Sequence, residues 1–99
     1  MKEMPRWRLS EEEKSRYIQL LVPNLTVLRT RAEISQAELA HLLGISRQTY
    51  SAIERRARPM SWHVYLALML FFDKNSKTHE MLQLLQLFPR ELAARLSGS

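Results

Sequence analysis

Gly44 is one of only two glycines in 99 residues, and it falls between two stretches of helical pattern that each begin on a capping serine. Ahead of it, Ser35 and Glu38 stand three apart as a capping box: the serine hydroxyl meets one free amide of a first turn, and the glutamate reaches back to the cap. Ala37, Leu39, Ala40, Leu42 and Leu43 give that helix its apolar side. Glycine has no Cβ, so the left-handed backbone that ends a helix costs it little. Ser46 then caps a second helix, which Tyr50 and Ile53 carry on to about Arg56, with Arg58 and Pro59 at the exit. The spacing predicts helix, three-residue turn, helix over 36–56. Two helices joined by so short a turn must cross closely, and Ala40 supplies the small side chain that such a crossing requires.

The remaining chain is punctuated in the same way. Ser10 and Glu13 form another capping box, with Glu11 and Glu12 where the positive end of a helix dipole favours carboxylates. Tyr17, Ile18, Leu20 and Leu21 give the following helix an apolar side, and Pro23 ends it or opens the next, since proline fits only a first turn. That next helix runs to about Ala32, with Leu25 and Leu28 on one face. Ser61 caps a strongly apolar helix reaching Phe72; residues 73–76 form a polar loop, and a further helix spans 77–88 until Pro89. Leu92 and Leu96 mark a short last segment. With so few positions suited to tight hairpins, the expected fold is all-α, a bundle of five to six helices with extra N- and C-terminal helices. A chain this short has one core, so residues 10–96 are expected to form a single helical domain. A basic arm over 1–9, carrying Lys2, Arg6 and Arg8, precedes it, and a polar tail over 97–99 follows.

Charge narrows the partners. Lys and Arg outnumber Asp and Glu by 15 to 10 and the isoelectric point is near 10.1, a balance that attracts polyanions and raises encounter rates with them. The absence of cysteine excludes disulfides, thiol catalysis and thiolate metal sites, and it is compatible with a reducing cytoplasm, the expected location. The longest apolar run, Val64 to Phe72, is too short to cross a bilayer, and Met1 to Leu9 lacks the apolar region of a signal peptide, so no membrane partner is expected. An enzyme needs a convergent acid, base or nucleophile. His41, His63 and His79 fall on separate predicted helices with no partner at a useful spacing, and His79-Glu80 does not continue to the second histidine of a zinc motif. No catalytic activity, metal or cofactor is expected.

The stretch SQAELAHLLGISRQTYSAIERR, residues 35–56, resembles the lambda-repressor-like (Cro/C1, XRE-type) helix-turn-helix family. Its most specific parts are SQAELA (35–40), LLGIS (42–46) and RQTYSAIE (47–54), and the resemblance extends over roughly 25–72. It implies a lambda-repressor-like bundle and a sequence-specific transcriptional regulator, in the first instance a repressor, that inserts the helix over 46–56 in the major groove of double-stranded DNA. By the same resemblance Arg47, Gln48 and Ser51 approach base edges, arginine pairing best with guanine and glutamine with adenine, and Gln36 meets a phosphate from a helix N-terminus. Ser46 and Thr49 join the expected phosphate-binding set, and Arg55, Arg56 and Arg58 are added to it because they stand immediately after the reading helix rather than because the family has them there. Two positions depart from the family pattern. The polar residue and glycine common after the reading helix are replaced by Arg55 and Arg56, and Tyr50 stands where Ile or Val is usual. Arg29 and Glu54 match an internal pair that the family uses to orient the reading helix, and Tyr50 is expected in the core with its hydroxyl in solvent.

Apolar residues exceed what one small core absorbs. Leu66, Leu68, Met69, Leu70, Phe71 and Phe72 cover more than one face of their helix, as do Met81, Leu82, Leu84, Leu85, Leu87 and Phe88 of theirs. A homodimer seam is the simplest use, because two-fold symmetry sets two reading helices about 34 Å apart on a palindromic operator. The alternative is a protein-partner module, such as an antitoxin that binds its toxin through the same surface.

Overall fold

The computed structural model describes residues 8–98; Lys2 and Arg6 of the expected arm, and Ser99 of the tail, lie outside the described residues. Seven α-helices follow one another with no strand among the described residues. The first, α1 (Glu11–Leu21), opens on the expected box: Ser10 Oγ accepts the Glu13 amide and the Glu13 carboxylate accepts the Ser10 amide, both at 3.0 Å. Pro23 sits in a tightened 3-10 turn, Val22–Asn24, which joins α1 directly to α2 (Leu25–Arg31), with Asn24 at φ −106° and ψ 1° marking the junction. Next come α3 (Gln36–Leu43), again entered through a complete capping box, and α4 (Arg47–Glu54), whose cap Ser46 accepts the Thr49 amide at 3.0 Å. Ser61 caps α5 (Trp62–Lys74), which runs two residues beyond the expected Phe72.

α6 (His79–Leu84) is shorter than the expected 77–88 at both ends. Asn75 Oδ1 accepts the Lys77 amide at 2.9 Å, and the buried Thr78 hydroxyl donates back to the Phe72 carbonyl at 2.7 Å, so residues 75–78 are fixed as a turn. At the other end Gln86 adopts a left-handed φ of 53°, which no helix continues through. The last helix, α7 (Arg90–Ser97), takes in part of the expected tail and is tied to the first by ion pairs: Arg95 to Glu13 at 3.1 Å and Arg16 to Glu91 at 3.4 Å.

The core gathers one face from each helix: Tyr17 and Leu21 of α1, Leu25 and Leu28 of α2, Leu39 and Ala40 of α3, Tyr50 and Ile53 of α4. Tyr65, Leu68 and Phe72 of α5 lie among them, and α5 packs against α1, α3 and α6. Each buried leucine, isoleucine or phenylalanine among them contributes roughly 1.5–3 kcal/mol relative to exposure, which makes these residues the support on which α3 and α4 are presented.

Candidate nucleic-acid interface

Gly44 takes φ 79° and ψ 27°, the left-handed conformation that its place in the sequence calls for. Its amide donates to the His41 carbonyl at 3.1 Å and the Ile45 amide reaches the Ala40 carbonyl at 3.0 Å, which closes α3 and turns the chain within three residues. Ala40 is buried on α3, the helix against which α4 packs, as a close crossing of the two helices requires of a small side chain.

The inward side of α4 is fixed by packing and by one carboxylate. Tyr50 and Ile53 are buried. Glu54 accepts four hydrogen bonds: two from the Arg29 guanidinium, at 2.8 and 3.2 Å, one from the Tyr50 hydroxyl at 2.7 Å, and one from the Gln36 amide at 3.0 Å. Burial acts to raise the pKa of Glu54, but the donors from Arg29, Tyr50 and Gln36 outweigh it and hold the carboxyl at about 2. Arg29 also donates to the Ile34 carbonyl at 3.1 Å, so a single guanidinium joins α2, the loop before α3 and the end of α4. The expected Arg29–Glu54 pair is therefore present and bidentate. The expectation for Tyr50 is corrected in one respect: the ring is in the core, but its hydroxyl is bonded to Glu54 and does not reach solvent.

The outward side is open. Arg47 and Gln48 are exposed and Ser51 is half-buried one turn further on, so the three candidate base-reading side chains share one surface of α4. None of their side chains is engaged by another described residue in a hydrogen bond or ion pair, whereas Glu54 on the same helix is saturated.

The phosphate candidates divide between the two ends of the helix. Ser46 and Thr49 stand at its start, where the Ser46 hydroxyl donates to Thr49 Oγ1 at 2.9 Å and leaves the Thr49 hydroxyl proton free to donate elsewhere. Arg55, Arg56 and Arg58 are exposed at its exit. Gln36, at the first position of α3, is half-buried against Glu54, so only part of its amide remains for a ligand. The exit repeats the geometry of the Gly44 turn: the Ala57 amide bonds to the Ala52 carbonyl at 2.8 Å around a left-handed residue, and that residue is Arg56, with φ 64°. An arginine thus occupies the backbone conformation that a glycine there would adopt without strain.

Two of the bonds to Glu54 escaped the sequence reading. The Tyr50–Glu54 bond had a signal in its i, i+4 spacing on one helix. The Gln36–Glu54 bond joins residues 18 apart and had none. The three histidines lie on α3, α5 and α6, no cluster of metal-ligating side chains occurs among the described residues, and no helix there is long and apolar enough to cross a membrane. Residues 22–73 match the family model of a helix-turn-helix domain. No curated protein and no solved structure matches the chain.

Proposed function

The chain belongs to the helix-turn-helix domain family, which implies DNA as its partner and regulation as its role, and on that premise we propose a sequence-specific repressor of the XRE type that docks α4 in the major groove. The observation that carries this reading is the division of α4 into a saturated inward side and an open outward one. Arg47, Gln48 and Ser51 specify sequence from the open side. Gln36, Ser46, Thr49, Arg55, Arg56 and Arg58 hold phosphates on either side of the groove, Gln36 with the part of its amide that Glu54 leaves free. Residues 10–96 act as one domain with no catalytic role.

The repressor works as a homodimer on a palindromic operator. Leu42, Leu70, Leu84 and Leu85 remain exposed after the core is filled, Leu84 by 75%, and Leu42 and Leu70 line one groove, which supports a seam between two copies. The same leucines support a second reading, an antitoxin that covers them with a toxin. Selection from a random duplex library, followed by binding to the enriched and a scrambled site across a salt series, tests the proposal. A palindromic consensus bound by a dimer well above the scrambled control supports it. Equal, salt-sensitive binding to both duplexes, or no binding, overturns it in favour of the protein-partner module.

A further inference from the structure

A cleft of 590 Å³ opens between α1 and the loop that leaves the reading helix. Its inner wall is apolar, made by Ile18 of α1, Ile53 at the end of α4 and Trp62 at the start of α5. The Trp62 ring is held there: it stacks on Tyr65 at 4.9 Å, and the Lys14 ammonium lies 5.8 Å from its centroid. The rim is cationic. Lys14, Arg56 and Arg58 stand against one carboxylate, Glu11, which is already paired with Lys14 at 3.3 Å. Arg56 and Arg58 make no ion pair with any described residue. The α1 wall precedes residues 22–73, so the part shared with the family supplies only one side of the cleft.

An apolar wall beneath two unpaired guanidinium groups, in a volume typical of small-molecule sites, suits a compact organic anion with its apolar body on Ile18 and Trp62 and its acid group on the arginines. We propose that the cleft is an effector site for a small apolar molecule bearing one acidic group. Its occupant competes with DNA for Arg56 and Arg58, so binding it releases the operator; this second step rests on the DNA-binding reading above. The exit of α4 is the point of competition because the left-handed Arg56 sets the direction in which both arginines leave the helix.

The probe is 1-anilinonaphthalene-8-sulfonate, an apolar aryl sulfonate, titrated into the isotope-labelled full chain and followed by amide chemical shifts and by fluorescence. Shifts should concentrate in α1 and residues 56–62. Ser15→Phe, which fills the cleft from the exposed side of α1, should weaken the probe by at least about tenfold, with operator affinity and helical content retained. The selected operator should displace the probe from the wild-type protein. Shifts confined to the separate apolar groove around Leu42 and Leu70, or probe binding unchanged by Ser15→Phe, overturn the site. A probe that binds in the cleft without competing with operator overturns the regulatory step alone. If the protein binds no DNA, the DNA-binding reading and the regulatory step fall together, while the shift map and Ser15→Phe still decide the site.

Discussion

The two sides of α4 follow opposite rules although they share one eight-residue helix. Inward, every polar group is bonded and every apolar group covered: Tyr50 is 0% exposed, and the Glu54 carboxylate takes donors from three helices. Outward, the side chains of Arg47, Gln48 and Ser51 are engaged by no other described residue. A recognition element needs both. The backbone must be held so that binding does not have to order it, while side chains that are to meet base edges must be left with their donors and acceptors unspent. The contrast makes separable predictions, since inward substitutions should act on stability and outward ones on DNA alone.

The largest effect belongs to Glu54→Ala, expected to cost about 3–5 kcal/mol in urea unfolding, because Arg29, itself only 17% exposed, is left without its counter-charge. A loss below about 1 kcal/mol would dissolve the distinction between the two sides. The same carboxylate predicts an acid limb. Its folded pKa of about 2 lies below the ordinary 4.5, so its stabilisation is fully present above pH 4.5 and lost as pH falls toward 2. Thermal melts of Glu54→Gln should lack that component.

Arg47→Ala should leave unfolding unchanged, cost about 1–3 kcal/mol in operator binding and relax preference at one base pair. An Arg47→Ala protein that binds the selected site as tightly as wild type removes the residue from the reading surface. Tyr50→Phe tests the inward side more gently: loss of one hydrogen bond to Glu54 should lower stability by about 1 kcal/mol while the selected consensus stays the same. Arg56→Gly is the smallest change and the one that crosses the two categories. It should raise stability by about 1 kcal/mol through relief of the left-handed φ, yet reduce the slope of log affinity against log salt by about one phosphate contact. A gain in stability with an unchanged salt slope would make Arg56 a structural residue only.

Comparison of Gly44 with Arg56 shows where the sequence was legible and where it was not. Both close a helix in the same left-handed turn, but only the glycine announces it. Glu33 and Gln86 take that conformation too, with φ of 59° and 53°, and neither is a residue from which it could be read. Helix starts were more transparent, because Ser10, Ser35, Ser46 and Ser61 each cap through a bond to a residue three positions on.

Capping and apolar periodicity are short-range interactions, so the sequence by itself determined the all-helical class, the boundaries of α3 and α4 to within two residues, and which α4 side chains carry hydrogen-bonding groups. Only the tertiary structure decided which of those groups are free. Glu54 meets Arg29 across 25 residues and Gln36 across 18, the Tyr50 hydroxyl is withdrawn from solvent, and α1 meets residues 56–62 to form a cleft, because packing the core brings together groups that no local spacing couples.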